Sequence, residues 1–383
     1  MQSSLKKEFM LDPNIVFLNH GSFGATPIPV FNTYQDWQRQ LEFQPVKFMA
    51  RLAPTLLAQA REGLAAYLTC APDEVVNFTN PTAAINMVAR SLNLEPGDEI
   101  LTSNHEYGPM DRTWEFVAEK TGAKYIKRSI PLPVTTPEEF IDYFWKGVTQ
   151  KTRVIFLSHI TSLTALTFPI KEICARARSA GLLSIIDGAH VPGHIPLDLS
   201  DLGADIYAGA CHKWLCAPKG AAFLFARREV QELLEPLIIS WGYRSEKPSG
   251  SLFIDHHEWQ GTRDLAAFLS VGAAIKFQAE HSWENVRTAC HELAAATRDR
   301  INQLTGLEPV SPNALGWFRQ MVAVRLPDLD VNEMKTRLYD GFQVEIPVYR
   351  WDDQPFLRVS FQGYNDQGDA DQLISALEHI LPI

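Results

Sequence analysis

Cysteine is scarce in this chain of 383 residues, and its five cysteines, an odd number, are scattered as Cys70, Cys174, Cys211, Cys216 and Cys290. A chain of this length needs no disulfides, because it can bury a large apolar core. We therefore expect free thiols and a reducing, cytoplasmic setting. Cys211 and Cys216 have no partners at zinc-site spacing, and no metal site is predicted.

Positive charge is also in short supply, since 35 Lys and Arg face 45 Asp and Glu and give a formal net charge of −10. Binding to nucleic acid is not expected, because it depends on clustered Lys and Arg and the chain has no basic run. Long apolar runs are missing too. No stretch is long enough to span a bilayer, and the first ten residues lack the apolar core of a signal peptide. We expect a soluble protein with no membrane partner.

Low-complexity linkers are absent, as no Gly/Ser-rich or Pro-rich stretch divides the chain. Glycines with the G-x-G-x-x-G spacing after an early strand are absent as well. This second absence disfavours a nicotinamide-dependent dehydrogenase of the Rossmann type.

What the chain does have, from about residue 60, is an alternation of helical and strand-like stretches. A helical period covers Leu56–Tyr67, and the strand candidates are Glu99–Thr102, Val154–Leu157, Leu183–Ile186 and Ala221–Phe225. The pattern predicts an α/β fold with a mostly parallel central sheet flanked by helices. Ligands bind such sheets at the carboxyl ends of the strands, and Asp187 lies at one of these ends.

The pattern of apolar and polar residues changes beyond Gly261. Long helical patterns come first and short strands follow, in the order Leu265–Glu280, Trp283–Leu304, Phe342–Ile346 and Phe356–Phe361. We interpret this part as a smaller C-terminal α+β domain. The predicted division is an N-terminal arm over residues 1–14, a large domain over 15–264 and a small domain over 265–383.

One lysine and one aspartate point to a chemistry. Lys213 lies 26 positions (213 minus 187) after Asp187, which ends an apolar run. A lysine that can bond an aldehyde and a buried carboxylate that can pair with a pyridine nitrogen are what an enzyme needs to hold pyridoxal phosphate. The same lysine, once released, can act as a base at the substrate α-carbon. Taken singly, Lys213 could equally be a surface lysine, and Asp187 could equally cap a helix.

The phosphate of such a cofactor needs backbone N–H donors at the start of a helix. The stretch Asn77–Val88 supplies a turn followed by a helix that opens near Thr82. We therefore predict that Thr82 and Ala83 bind the phosphate. The alternative is that Thr82 is an ordinary helix cap.

Together these residues resemble the fold type I pyridoxal-phosphate enzymes of the class V aminotransferase family, and the resemblance runs along nearly the whole chain. It rests on four motifs, Asp187–His190, Cys211–Lys213, Gly261–Asp264 and Leu357–Asn365. Within the family, Phe17–Gly24 and His105–Gly108 are most similar to isopenicillin N epimerase-like proteins.

The resemblance implies roles around the cofactor ring. Tyr107 would stack on the ring, and His190 would approach the ring oxygen next to the aldehyde. Relatives often carry Asn or Gln where this chain has Ser162 or His190, so we expect the hydrogen bonding to that oxygen to be arranged differently here. His212 would help to hold the phosphate.

The resemblance also implies contacts to the substrate and to a second subunit. Gly261 and Thr262 match a segment that reaches the phosphate of the neighbouring subunit, which implies a homodimer with shared active sites. Arg358 matches the arginine that grips the substrate carboxylate, a role that suits its forked guanidinium. Asn19 and His20 lie in a segment that the family brings close to the substrate, although their flanking glycines equally fit a tight turn.

The expected activity is that of an enzyme that binds an amino acid through its carboxylate and breaks a bond at Cα, most simply C–H. Reprotonation on the opposite face gives epimerisation and needs a second acid, for which Tyr107 and His20 are the candidates. Reprotonation at the cofactor carbon gives transamination. Loss of a β-sulfur group gives a C–S lyase of the cysteine or sulfoxide type. These three outcomes stay open at this point.

Two other functions fit less well. Desulfurase chemistry needs a thiol on a loop ahead of the carboxylate-binding arginine, and no cysteine lies between Cys290 and Arg358. A non-catalytic binding protein with the same fold is a further alternative. The presence of Lys213, Asp187 and Arg358 argues against it.

Overall fold

The computed structural model describes residues 5–313 and 316–381. Its main sheet has seven strands, which follow one another in space as β2 (Val75–Phe78), β8 (Ala222–Ala226), β7 (Ile206–Ala210), β6 (Leu183–Gly188), β5 (Thr152–Ser158), β3 (Glu99–Ser103) and β4 (Lys124–Arg128). Within this sheet β8 alone runs antiparallel to its two neighbours. The predicted α/β fold with a mostly parallel sheet is confirmed.

Helices connect and cover these strands. In chain order they are α1 (His20–Phe23), α2 (Ile28–Phe43), α3 (Pro45–Lys47), α4 (Ala53–Leu68), α5 (Pro81–Ser91), α6 (Gly108–Thr121), α7 (Pro137–Trp145), α8 (Ile170–Ser179), α9 (Leu199–Leu202), α10 (Leu252–His257), α11 (Ala266–Leu269), α12 (Val271–Glu280), α13 (Trp283–Thr305), α14 (Val331–Thr336) and α15 (Gln367–Ile380). None of these described helices combines the length and apolar character that crossing a bilayer requires.

The alternation of side chains along the strands builds two apolar layers. In β5, Val154 and Phe156 pack into one layer, whereas Ile155 and Leu157 pack into the other. All four side chains are at most 2% exposed. Burial of an aliphatic or aromatic side chain stabilises the fold by about 1.5–3 kcal/mol. A strand that is apolar on both faces is therefore held between two helical layers, and its carboxyl end is held with it.

The sequence pattern located some strands and missed others. The four predicted strands of the main sheet correspond to β3, β5, β6 and β8. The strand β7, with the sequence Ile-Tyr-Ala-Gly-Ala, was missed because alanine and glycine have low strand propensity. Packing demands these small residues, since a Cβ on Gly209 would lie 2.4 Å from the Phe223 ring. The charged edge strand β4 and the short strand β2 were missed as well.

The long helix predicted over Leu265–Glu280 is wrong in one respect, because it is two helices, α11 and α12. They are separated at Ser270, whose hydroxyl donates to the Ala266 carbonyl at 2.7 Å. A hydrogen bond from a serine hydroxyl to the carbonyl four residues earlier offers the backbone an alternative to a straight helix. The second long helix is confirmed as α13.

The C-terminal part carries two small sheets. One is antiparallel, with β12 (Gln354–Ser360) between β11 (Val348–Trp351) and β9 (Met321–Arg325). The other pairs β1 (Val16–Phe17) in parallel with β10 (Val344–Glu345). The chain therefore returns its N-terminal segment to the C-terminal part, and this pairing places α1 beside β12. The predicted domain boundaries stay a prediction.

Gly24 is the position where α1 approaches the loop that follows β7. Its φ is +69°, and a Cβ there would lie 2.1 Å from the His212 carbonyl oxygen. We expect Gly24→Ala to lower the free energy of unfolding by about 2 kcal/mol or more, because left-handed strain and a backbone clash add together. Urea denaturation measures the change.

The matched control is Gly63→Ala in α4, where a Cβ would meet nothing within 4 Å. A helix-interior alanine should be neutral or stabilising by about 0.5–1 kcal/mol. Equal urea midpoints for the two variants would contradict the close approach of α1 to the loop.

Candidate active site

The site lies where the order of the strands reverses. From β3 the chain adds β4 on one side, and then β5, β6 and β7 on the other, so the switch falls between β3 and β5. A cavity of about 180 Å³ opens at the carboxyl ends of these strands. Such crevices bind ligands in open α/β sheets. The residues predicted from sequence that line this cavity are Thr82, Tyr107, Ser162, Asp187, His190, His212 and Lys213.

Lys213 reaches the cavity from a tight loop after β7. The Cys216 and Ala217 amides donate to the Lys213 and Cys211 carbonyls, each at 3.0 Å. The Lys213 Nζ lies 3.0 Å from the His190 Nε2. Burial, aided by the charge of Arg358, lowers the pKa of Lys213 to about 8. A lysine in this environment loses its proton more readily than an exposed lysine, which suits a nucleophile or a base.

Asp187 lies near the end of β6 and is 4% exposed. Its Oδ1 accepts a hydrogen bond from the Ala189 amide at 2.9 Å. Burial raises the pKa of Asp187, while the nearby Lys213 opposes that rise. A buried carboxyl with spare acceptor capacity at a cavity wall can take a proton shared with a basic ring nitrogen.

Glu106 is a second buried carboxyl that sequence reasoning missed. Its Oε2 accepts from the Ser158 amide and hydroxyl, both at 2.7 Å, and its Oε1 accepts from the Ser103 hydroxyl at 2.6 Å. Ser158 itself lines the cavity. Burial outweighs these hydrogen bonds and raises the pKa of Glu106 to about 8, with a smaller contribution from Asp187. Two buried carboxyls that influence each other's ionisation, Asp187 and Glu106, therefore lie at or directly behind the cavity wall.

Arg358 lies just behind the cavity wall. Its Nη1 donates to the Ser162 carbonyl at 2.6 Å and to the Ser162 hydroxyl at 3.2 Å, and its Nη2 donates to the Ser22 hydroxyl at 2.9 Å. Its Nε has no hydrogen-bond partner among the described residues. Arg358 as a whole is 5% exposed. A buried cation held by neutral oxygens has its full charge available for an incoming carboxylate.

Asn19 and His20 do not line the cavity. The Asn19 amide nitrogen donates to Glu345 at 2.9 Å, and its oxygen accepts from the Ser22 hydroxyl at 2.5 Å. His20 is fully buried behind the loop, with one ring nitrogen 3.0 Å from the Lys213 carbonyl and the other 2.9 Å from the Tyr364 hydroxyl. Their segment does reach the cavity, but through Ser22 and Phe23.

The helix α5 starts at the other end of the cavity. Thr82 lines it, together with Asn80 and Pro81. The Ala83 amide donates to the Asn80 side chain at 2.8 Å, so the helix cap uses one of the two predicted phosphate donors. His212 donates from Nδ1 to the Ala221 carbonyl at 3.1 Å, which leaves its Nε2 without a proton in the neutral ring. Gly261 and Thr262 are not part of the cavity wall in this single chain.

Comparison with known proteins places the chain in a family. The family model for class V aminotransferases matches residues 25–373. The chain belongs to the class V aminotransferase family. It is 39% identical to isopenicillin N epimerase from Amycolatopsis lactamdurans, covering 99% of this chain and 98% of that one. Identity to isopenicillin N epimerase from Streptomyces clavuligerus is 36%, with 96% of both chains covered.

Solved structures show the same fold at lower identity. The cystine C–S lyase C-DES, in complex with its product cysteine persulfide, has a TM-score of 0.85 and 21% identity, with 97% of this chain and 99% of that chain covered. A C-DES mutant with glycine linked to the PLP cofactor also has a TM-score of 0.85. The fold type I architecture is confirmed. The chain is an enzyme of a family that uses pyridoxal phosphate.

The residues of this cavity fit that cofactor. A lysine nitrogen, a buried carboxyl and the start of a helix border one cavity, in Lys213, Asp187 and Thr82. A lysine is able to attach the cofactor covalently, a buried carboxyl suits the ring nitrogen, and a helix start suits the phosphate. The Arg358 Nε, which has no hydrogen-bond partner among the described residues, is a buried donor next to the cavity.

The residues missed from sequence had weak signals. Glu106 lies beside Tyr107 in the His105–Gly108 motif, and Ser22 lies in the Phe17–Gly24 motif, so the sequence located both motifs but assigned no role to these two residues. A glutamate between two polar residues after a strand gives no periodic sign of burial. Only the hydrogen bonds from Ser103 and Ser158 reveal its position.

Glu106 gives the folded protein a distinctive pH dependence. Between the ordinary pKa of 4.5 and the raised pKa of about 8, folded Glu106 holds a proton that the unfolded chain has lost. Stability should therefore fall with rising pH across this window, by at most about 1.4 kcal/mol per pH unit. Glu106→Gln keeps the shape without titrating, so the wild type should lose stability relative to the variant between pH 5 and pH 8 in urea denaturation. Parallel curves would show that Glu106 is ionised throughout.

Proposed function

We propose that this enzyme binds an amino acid through its α-carboxylate and epimerises it at Cα. The observation that carries the proposal is that Lys213 and Asp187 line one cavity and that the buried Arg358 donates to Ser162 in the wall of the same cavity. Similarity to two isopenicillin N epimerases at 39% and 36% identity supports epimerisation over the other fates of the α-proton. Transamination differs only in where the proton returns, and it is the second candidate.

Bound pyridoxal phosphate supplies an electron sink for the bond that breaks at Cα. Lys213 would hold the cofactor and, when released, would take the α-proton on its own face. Asp187 would hold a proton at the ring nitrogen. Tyr107, 43% exposed at the cavity wall, would stack on the ring and is our candidate for the acid on the second face. His20 is not retained as that acid, because both its ring nitrogens face protein groups.

Arg358 binds the substrate carboxylate in this proposal. The incoming carboxylate takes hydrogen bonds that Arg358 now gives to Ser162 and Ser22. Ser22 also donates to Asn19, so its lone pairs stay turned toward the guanidinium. Asn19 thereby supports substrate binding from behind Ser22. Ser162 would lie between Arg358 and the oxygen of the cofactor ring, and His190 would donate to that oxygen when the cofactor is bound.

The start of α5 would hold the phosphate, with the Thr82 amide as a backbone donor. The Ala83 amide would join it only after leaving its hydrogen bond to the Asn80 side chain. His212 Nε2 can donate only from a protonated ring, because Nδ1 is used by the Ala221 carbonyl. Burial lowers the pKa of His212 to about 4, and the negative charge of the phosphate counters that effect. Gly261 and Thr262 complete the phosphate site of the neighbouring subunit.

A homodimer with shared active sites is part of the proposal. Large apolar side chains are exposed in two segments, with Phe43 90%, Val46 69%, Trp241 87% and Leu252 70% exposed. Phe23 at the cavity mouth is 72% exposed. Single chains rarely leave so much apolar surface in water. We expect a native mass of twice the 43.1 kDa chain by sedimentation equilibrium, and a mass of one chain would contradict the shared site.

We also propose a cytoplasmic location and no nucleic-acid partner. All five cysteines are free, which suits a reducing compartment. The net charge of −10 disfavours polyanions.

The reaction is tested with an amino-acid panel in heavy water. The holoenzyme should exchange the α-proton of its substrate for deuterium and yield both configurations at Cα on chiral chromatography. Release of a keto acid would assign transamination, and release of sulfide would assign a C–S lyase. Absence of α-exchange with every amino acid would overturn the proposal.

The role of Arg358 predicts a selective defect. Arg358→Ala should lower kcat/KM at least about tenfold for an amino acid that is a substrate, since a charged hydrogen bond contributes about 1.5–3 kcal/mol. Binding of the decarboxylated amine should change little. Arg350→Ala is the control, because Arg350 is partly exposed and pairs with Asp328. Equal losses for the acid and the amine would remove the carboxylate role.

A further inference from the structure

His190 has a proton arrangement that its neighbours dictate. Its Nδ1 lies 3.2 Å from the indole Nε1 of Trp214. An indole N–H can only donate, so the His190 Nδ1 must accept. His190 is buried at the cavity wall, and this burial holds its pKa well below the ordinary value. A neutral imidazole that accepts at Nδ1 carries its proton at Nε2.

The indole that sets this arrangement is itself held on several sides. His194 stacks on the Trp214 ring with centroids 3.9 Å apart and planes at 19°. The Gln278 side chain donates to the Trp214 carbonyl at 2.8 Å. His194 accepts from the Gln320 amide at 3.1 Å, so its other nitrogen must donate, and it lies 2.9 Å from the His190 carbonyl. Both the ring and the backbone of His190 are thus fixed.

We infer that Trp214 is a positioning residue that locks His190 as an Nε2–H donor and thereby favours the uncharged form of the Lys213 amine. The distance from His190 Nε2 to Lys213 Nζ is 3.0 Å. Because Nε2 carries a proton, a hydrogen bond across this gap needs a lone pair on Nζ. An ammonium would place N–H groups against N–H. The contact therefore favours the amine that attacks an aldehyde or accepts a proton.

Other charged groups also face this pair. Arg358 and His212 lie on the Lys213 and His190 side, and Asp187 faces Lys213 from β6. Arg358 favours the free amine and Asp187 favours the ammonium. A substitution of Trp214 leaves Arg358, His212 and Asp187 in place. It therefore isolates the share of the Lys213 pKa shift that depends on the tautomer of His190. The consequence for catalysis rests on the proposed role of Lys213, whereas the tautomer itself does not.

The tautomer is tested directly in the wild-type chain. Nitrogen NMR of ¹⁵N-histidine-labelled protein distinguishes protonated from bare ring nitrogens, and the variant His190→Gln identifies the signals by their loss. In the full chain freed of cofactor with hydroxylamine, His190 should stay neutral with its proton on Nε2 between pH 6 and pH 9. A proton on Nδ1, or titration of His190 within this range, would overturn the inference whatever reaction the enzyme catalyses.

The effect on Lys213 is tested by substitution. In Trp214→Phe the His190 ring is free to carry its proton on Nδ1 and to accept at Nε2 from an ammonium, so the pKa of Lys213 should rise by about one unit. The rate of reductive methylation of Lys213, followed by peptide mass against pH, reports this midpoint. Rebinding of pyridoxal phosphate checks that the variant is folded.

Trp114→Phe is the matched control. Trp114 is fully buried, and its indole Nε1 has no hydrogen-bond partner within the described part of the chain. We expect its Lys213 midpoint to equal that of the wild type. A Trp214→Phe midpoint that also equals the wild type would overturn the positioning role. If Trp214→Phe does not fold, the tautomer measured in the wild type decides the question.

Discussion

Ionisable side chains held out of water at one edge of the sheet are the constraint on which the rest of this structure depends. For Asp187, Glu106, Lys213 and Arg358, burial is the first cause of the pKa shift. Such burial costs stability, and a fold keeps it where the shifted proton affinities have a use. The two apolar layers around β5 and its neighbours provide the stability that offsets this cost, and they hold the strand ends that carry the ionisable groups.

The N-terminal segment also holds the residues at this edge of the sheet in place, through contacts with the C-terminal part of the chain. The pairing of β1 with β10 brings α1 to β12, where Ser22 receives a hydrogen bond from Arg358. In the same helix, the His20 Nε2 lies 3.0 Å from the Lys213 carbonyl oxygen. Gly24, just after the helix, lets the backbone come into contact with the loop that carries Lys213. A segment far from the cavity in sequence thus links the loop that carries the lysine to the strand that carries the arginine.

Much of the fold and part of the site could be predicted from the sequence. Apolar runs such as Val154–Leu157 predicted their strands because a strand buried on both faces is nearly all apolar. The order of Asp187 and Lys213 predicted the cofactor because its chemistry demands both groups. The strand β7 was missed because its small residues are required by packing against Phe223, which belongs to another strand. The cavity position of Ser22 and the burial of Glu106 were missed for the same reason, because both depend on contacts across the fold.

The central claim is that Lys213 carries the cofactor, and the most direct test is the site of its attachment. The purified protein, incubated with pyridoxal phosphate, is scanned for visible absorption, reduced with borohydride and digested, and the modified lysine is located by peptide mass. The account predicts a visible band that borohydride removes and a single adduct on Lys213. Lys219, six positions later, is in the same loop region and donates to the Gly24 carbonyl at 3.1 Å, so it should stay unmodified. An adduct on another lysine, or no band and no adduct, would contradict the account.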